Sequence, residues 1–320
     1  MKALILKEIN QAVTFDHFDT PEAGENEVLV ELKAAALNHR DVWITKGMYP
    51  NIVTPIIMGS DGAGLAGEEE VIINPSINWG ETPAFPGKNY QILGLPAHGT
   101  FAELVKVERK QLFPKPAHLS WEEAAALPLA GLTAYRALFT KGQLRKGENV
   151  LISGVGGGVA LFACQFALAA GANVFVTSGS SEKIDRAIAM GAKGGVNYKE
   201  ENWDKSIKTI SGGFDVIIDS AGGDGFAQLV KCCNPGARVC FYGGSRGAIN
   251  NLSPQILFWK QISLLGTSMG TDQEFEDMLH FVTQHKIKPV VDSVYRLRDG
   301  QAALDRMASG KHFGKIVFSI

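Results

Sequence analysis

The sequence predicts an α/β protein in which a doubly wound parallel sheet is joined to a β-rich domain. Three observations predict it. The front of the chain alternates in short strands broken by Gly, Pro and Asn, and at about Trp121 the pattern switches to alternating helix and strand. The later strands are near-continuous apolar runs, which suit only a sheet covered on both faces. At 320 residues the chain allows about two domains. With 45% apolar and 20% charged residues it has the composition of a folded globule, not of a disordered chain.

Taken in order, LILKEI, VLVELKAA, VIINP and FAELVKVE are the front strands of a partly open barrel or sandwich. WEEAAALPLAGLTAYRALF (121–139) has helical spacing, with Ser120 as N-cap and Glu122 and Glu123 in the first turn. Strands follow at 149–153, 173–177, 195–198, 214–219, 238–242 and 262–267. Helices at 157–170, 181–190, 203–211 and 225–233 separate the first five, and QILFWKQ in the last link is a further helical candidate. The tail adds helices at 274–284 and 300–309 and a final strand, GKIVFSI. No internal repeat or low-complexity linker interrupts this order.

Several classes are disfavoured. The formal net charge is −2 and no basic stripe stands out, so nucleic acid is not an expected partner. The segment 149–176 is long and almost uncharged, yet five glycines between Gly154 and Gly171 and the polar Gln165 and Asn173 interrupt it. A strand, a turn, a buried helix and a strand account for it better than a membrane span. MKALILKEIN lacks the apolar stretch of a signal peptide, and a cytoplasmic protein is expected. Cys164, Cys232, Cys233 and Cys240 show no disulfide framework and no C-x-x-C spacing, so buried free thiols are expected.

The strongest motif is SGVGGGVALFACQFALAAGA, which follows a strand directly. A dinucleotide's phosphates must approach a helix N-terminus closely, where exposed N–H groups and the helix dipole favour an anion and glycine permits the approach. Gly154 and Gly156 fill the first two positions of G-x-G-x-x-G; the third is Val159, and Gly157 and Gly158 lie between. An acidic residue would bind the ribose hydroxyls of NAD at the end of the next strand. Ser178 stands there instead, with Ser181 and Lys183 beside it, a set able to donate hydrogen bonds to the 2′-phosphate of NADPH. The same residues could simply cap and flank a helix, and Tyr198 either closes that pocket or packs.

AAALNHRDVWITKGMYP, IIMGSDGAG, GTFAELV, AAALPLAGLTAYRAL, the glycine loop, FDVIIDSAGG and FGKIVFSI together resemble the medium-chain dehydrogenase/reductase superfamily over nearly the whole chain. The resemblance implies a Rossmann dinucleotide-binding domain at 123–265 and a GroES-like catalytic domain at 1–122 and 266–320, with the cofactor in a cleft between them. It also implies that Thr133 and Leu132 face the nicotinamide. Gly243, Gly244 and Ser245 after the fifth strand, and Ser268, Met269 and Gly270 after the sixth, would line the crevice at the strands' carboxyl ends. His39 could lean on the pyrophosphate or simply lie at the surface. The other six histidines show no ligand spacing.

Zinc enzymes of this superfamily hold their metal with Cys, His and Cys. Here Asn38 stands at the first place, Gly59-Ser60-Asp61 replaces the Gly-His-Glu motif, and no cysteine lies near 128–133. Without thiolate and imidazole together no tetrahedral zinc site is expected. The pattern resembles the zinc-free quinone oxidoreductase branch, in which Asn38, Asp41 and Tyr49 fall on active-site positions. Asn38 and Tyr49 would donate to a carbonyl oxygen as charge builds there, and Tyr49 or water would supply a proton; Tyr49 as an ordinary loop aromatic is the plainer alternative. Hydride transfer from NADPH to a quinone, enone or related carbonyl is the expected reaction. A zinc-free alcohol dehydrogenase, or a dinucleotide-binding protein with a structural or regulatory role, are the other readings. The family pairs its sixth strand across a two-fold axis, so ISLLGT implies a homodimer. After GSDGAGLAG the chain is shorter than its apparent relatives, and Glu68–Glu70 read as a solvated turn.

Overall fold

Alternation sets the front strands. In the computed structural model, which describes residues 1–320, β1 (Lys2–Leu6) buries Ala3 to Leu6 and pairs antiparallel with β2 (Thr14–His17). β3 (Glu27–Ala36) leads through Leu37 and Asn38 into α1 (His39–Thr45), and β4 (Ile56–Ile57) completes a three-stranded sheet ordered β2-β1-β4. β5 (Asp61–Ala66) and β6 (Glu69–Ile73) form a hairpin whose tight turn uses Gly67 at φ +64°. Only Glu68 of the expected acidic turn lies in it. Glu69 and Glu70 open β6 opposite Ala66 and Leu65, and they meet Arg109 at 2.8 Å and Lys115 at 3.1 Å. β7 (Ser76–Ile77) and β8 (Gln91–Ile92) pair with each other, β9 (Leu104–Glu108) joins β3, and β10 (Leu112–Pro114) joins β6.

The helix expected over 121–139 is broken. α2 (Trp121–Ala126) begins as expected, with Ser120 Oγ accepting the Glu123 N–H at 3.2 Å and Glu123 returning the bond to the Ser120 N–H at 2.9 Å. Pro128 has no N–H to continue the ladder, so α3 (Pro128–Tyr135) starts afresh and runs into a π-helical turn at Arg136–Lys141.

Strand and helix then alternate: β11 (Asn149–Ile152), α4 (Gly158–Ala169), β12 (Asn173–Ser178), α5 (Ser181–Ala189), β13 (Gly194–Asn197), α6 (Trp203–Ser211), β14 (Phe214–Asp219), α7 (Phe226–Lys231), β15 (Cys233–Phe241), α8 (Pro254–Lys260) and β16 (Ser263–Gly266). All six strands are parallel, in the order β13-β12-β11-β14-β15-β16. The chain starts in the middle and winds outward both ways, which is the doubly wound sheet expected. β15 begins five residues before the expected 238, through an irregular register against β14. All four cysteines are buried free thiols, as expected, and burial pushes each thiol up to about 12.

The tail returns to the sheet that contains β3. α9 (Asp272–Gln284) is capped by Thr271 and Glu274. β17 (Val291–Arg296), unforeseen in the sequence, precedes α10 (Gly300–Ala308) and β18 (Lys315–Ser319). β18 pairs with β3 and β17, giving the order β10-β6-β5-β3-β18-β17. Two compact units result, Met1–Leu132 with Gly270–Ile320, and Thr133–Met269. The first boundary falls at Leu132/Thr133 and not at 122/123, because α2 and the start of α3 pack in the first unit, where a Cβ on Gly131 would lie 2.8 Å from Met278 Sδ. No helix is long and apolar enough to cross a membrane.

Three glycines let backbone meet backbone near the start of β5. A Cβ on Gly99 would lie 1.9 Å from the Gly59 carbonyl oxygen and 2.7 Å from Gly94 Cα. Neither neighbour is a side chain that can swing away. Gly99→Ala is therefore expected to destabilise the first unit by more than about 3 kcal/mol, read as a lowered melting midpoint; an unchanged midpoint would show that the backbone there can yield.

Candidate functional site

Register alone brings the central residues of the first unit together. β18 runs antiparallel to β3 with Val317 opposite Ala36, and Leu37 N–H donates to Ile316 at 2.9 Å, so Lys315 comes level with Asn38. On the other side of β3, Ala36 faces Asp61. Lys315 Nζ donates to Asn38 Oδ1 at 2.7 Å and to Asp61 Oδ2 at 2.9 Å, and Asn38 Nδ2 donates to the same Asp61 oxygen at 2.9 Å. Asp61 Oδ1 accepts the Leu129 N–H at 2.8 Å. Asp61 is 0% exposed, Lys315 3% and Asn38 7%. An ammonium has only donors and a carboxylate only acceptors, so the Asn38 amide can face them one way round.

Beside this cluster, Arg40 donates to Ser60 Oγ at 2.5 Å and to the Leu93 carbonyl at 2.9 Å, while its guanidinium lies 5.0 Å from the centre of the Tyr49 ring. Tyr49 is half-buried against the core that includes β1 and α1, with its ring held by that guanidinium. Asp41 lies inside, not at a surface that a substrate could touch: it is 0% exposed, and its Oδ2 accepts the Asn38 N–H at 2.8 Å, capping α1. Burial raises its carboxyl from the ordinary 3.8 to about 6, with the charge of Asp61 adding to the rise and Arg40, the Asn38 N–H and Lys315 opposing it. His39 sits 5.8 Å from His312, ring to ring, and is held below the ordinary imidazole value by desolvation and then by the Lys315 ammonium.

The second unit holds the glycine loop. Gly154 (φ +70°) and Gly156 (φ +138°) turn the chain from β11 into α4, in backbone regions that a side chain would strain. Gly154 N–H donates to Thr177 Oγ1 at 3.2 Å, Val155 N–H donates to the Thr177 carbonyl at 2.8 Å, and Gly157 is the N-cap of α4, with Gly158 and Val159 in its first turn. Lys183 reaches over this loop: a Cβ on Gly156 would fall 2.8 Å from Lys183 Cδ. The N-terminus of α4, with no side chain of its own as a cap, suits a phosphate.

Ser178 ends β12 buried, with its hydroxyl donating to the Val155 carbonyl and accepting the Ser180 N–H, both at 3.3 Å. Ser180 caps α5 through the Lys183 N–H at 3.5 Å, and Ser181 is the first helical residue. Tyr198 lies over Gly179, and the Arg246 guanidinium stands 6.0 Å from its ring centre. Gly243, Gly244 and Ser245 follow β15, where a Cβ on Gly243 would lie 2.5 Å from the Ser220 carbonyl oxygen. Ser268 and Met269 follow β16, and Thr133 Oγ1 lies 3.8 Å from Met269 Sδ. Gly270 and Leu132 belong to the first unit, where the Gly270 carbonyl accepts from Ser76 Oγ at 2.6 Å. Sequence reasoning missed Lys315 and Arg40 as parts of a site. The available signal was a charged residue inside an apolar run, which must be paired when the run is buried.

No group of three or more His, Cys, Asp or Glu side chains is placed to hold a metal ion. The three places where zinc ligands would fall carry Asn38, Ser60 and the segment around Leu129, and a lysine ammonium bonds to Asn38 Oδ1 and to Oδ2 of the adjacent Asp61. That donor set does not fit Zn²⁺.

Residues 24–117 match the family described as alcohol dehydrogenase GroES-like domain, and residues 158–284 the family described as zinc-binding dehydrogenase. A zinc-type alcohol dehydrogenase-like protein of Leptosphaeria maculans is 36% identical over 94% of this chain and 92% of its own length. The quinone oxidoreductase of Rattus norvegicus is 31% identical over 93% of this chain and 90% of its own. A crystal structure described as an NAD-dependent alcohol dehydrogenase superposes with a TM-score of 0.94 at 36% identity, covering 100% of both chains.

The Asp41 carboxyl makes stability depend on pH in a defined direction. Unfolded, the group releases its proton near 3.8; folded, it does so at about 6. The folded state therefore holds the extra proton between those values, and the group's stabilisation is complete below about pH 4 and lost as pH rises to about 6. Relative to Asp41→Asn, the wild type is expected to lose up to about 3 kcal/mol across that window. Parallel stability curves for the two proteins from pH 4 to 6.5 would contradict this.

Proposed function

The chain belongs to the medium-chain dehydrogenase/reductase superfamily, and from that premise we propose that it is an NADPH-dependent, zinc-free reductase of quinones, enones or related carbonyl compounds. The observation that carries the proposal is the Lys315–Asn38–Asp61 cluster. It puts a fixed positive charge and an oriented amide donor where relatives with a metal would need soft ligands.

A reduced nicotinamide, when bound, would supply the hydride that reduces an electron-poor carbon of the acceptor, itself becoming oxidised. Negative charge then gathers on the acceptor's oxygen. Asn38 Nδ2 spends one proton on Asp61 and has a second to donate to that oxygen. Tyr49, held under Arg40, or a water molecule returns the proton that completes the reduction. Asp41 acts on the reaction only through the backbone of Asn38. In the second unit the glycine loop and the N-terminus of α4 would hold the pyrophosphate. Ser178 leaves the end of β12 without a carboxylate, and Lys183 with Ser181 offers donors to a 2′-phosphate.

We also propose a homodimer formed by a second copy at β16. That strand pairs only with β15, and on neighbouring α8 no residue is buried, with Trp259 79% exposed and Phe258 54%. Light scattering is expected to give twice the mass of one chain; a monomer would refute the assembly.

The function itself is tested by fluorescence titration with NADPH and NADH, metal analysis, and turnover of 1,4-benzoquinone and 3-penten-2-one. NADPH is expected to bind at least about tenfold tighter than NADH, a difference of about 1.4 kcal/mol, with no stoichiometric zinc. Asn38→Ala is expected to lower kcat about a hundredfold, and Tyr49→Phe to lower it at least about tenfold. Oxidation of a simple alcohol with NAD and bound zinc, with neither acceptor reduced, would favour an alcohol dehydrogenase instead.

A further inference from the structure

We infer that Lys315 and Asp61 together form a positioning device for Asn38, fixing which way its amide faces so that Nδ2 and not Oδ1 is presented to the acceptor. The inference rests on the proposed reductase and adds two residues to it.

A free asparagine amide can turn over about its last torsion at little cost, which exchanges a donor for an acceptor at the same point in space. Here it cannot. Reversal would bring Nδ2 against the Lys315 ammonium at the place where Oδ1 now stands at 2.7 Å, and Oδ1 against the Asp61 carboxylate at the place where Nδ2 stands at 2.9 Å. Two attractions would become two repulsions, in surroundings where Asp61 is 0% exposed and Lys315 3%, and where water screens little. Lys315 and Asp61 also bind each other at 2.9 Å, so the two jaws hold their own spacing. Asp61 is fixed in turn by the Leu129 N–H at 2.8 Å, and the Asn38 backbone by Asp41 at 2.8 Å. Every group that touches the amide is therefore pinned by a second contact, which is what keeps a catalytic donor within reach of its geometry. The ammonium adds a polarising effect. By accepting from a cation, the amide oxygen draws electron density from Nδ2 and strengthens its remaining N–H as a donor.

The test removes the charges as a pair. Lys315→Met/Asp61→Asn keeps the volumes and the net charge, leaves an acceptor for Leu129, and frees the amide to reverse. The acceptor is 3-penten-2-one, and NADPH affinity is followed by fluorescence. If the wild type reduces neither this enone nor 1,4-benzoquinone, the reductase reading itself fails. If it is active, the double variant is expected to melt within a few degrees of wild type and to bind NADPH within about twofold. Its kcat should fall about a hundredfold, the cost of a lost oxyanion donor. In that background Asn38→Ala should cost less than about threefold more, because an unoriented amide has little left to lose. An equal cost of Asn38→Ala in both backgrounds would overturn the inference. So would an activity loss that follows weakened NADPH binding, since the ammonium would then serve the cofactor. Where the double variant does not fold, Lys315→Arg decides: a cation able to donate to both oxygens should keep at least about a tenth of kcat. Loss of activity in that variant below about a hundredth, with NADPH bound normally, would equally overturn it.

Discussion

The Lys315–Asp61 pair is the constraint on which the first unit is built. Removing two charges from water costs several kcal/mol each, and mutual attraction offsets that only when geometry is close and the remaining bonding capacity is used. The pair meets these conditions by recruiting Asn38 and the Leu129 N–H. In doing so it ties together the last strand, the start of β5, the cap of α1 and the start of α3, segments far apart in sequence. A slip of one residue in the β3–β18 register would leave the ammonium facing apolar side chains and Asp61 uncompensated. The charges thus help to select the register as well as to equip the site.

Around that pair the polar interior is graded in function. Arg40 is spent on Ser60, the Leu93 carbonyl and the Tyr49 ring, so it holds the loop that carries Tyr49 and does not face a substrate. Asp41 is spent on the backbone of Asn38. Asn38 retains an uncommitted proton, and Tyr49 a phenol that is half-buried. Under the proposed function, several buried groups would serve the two that act, as expected when a donor must be held to within a fraction of an ångström.

The second unit was nearly all legible in the sequence, because its central strands β11, β12 and β14 are buried, mostly apolar runs and glycines or polar caps mark many of its turns. Trp203–Ser211 falls on the expected helix residue for residue. The first unit was less legible. α1 was not foreseen, since HRDVWIT carries charges at Arg40 and Asp41 that are buried. β17 was missed because VDSVYR mixes polar with apolar residues on a half-exposed strand. The helix at 121–139 was drawn too long because its apolar spacing continues through Pro128, which breaks it. Asn38 and Tyr49 were legible as candidates through their motif, but Lys315 was visible only as the first letter of a strand. Its role depends on a cross-strand neighbour 277 residues away, which local patterning does not encode.

The state of the cysteines has a chemical consequence. Quinones and enones are soft electrophiles that alkylate thiolates. Burial pushes each thiol well above its ordinary range, so little of the reactive thiolate is present near neutral pH, and all four are shielded from solvent. Packing of the core therefore leaves these sulfurs less open to such electrophiles than a surface cysteine would be.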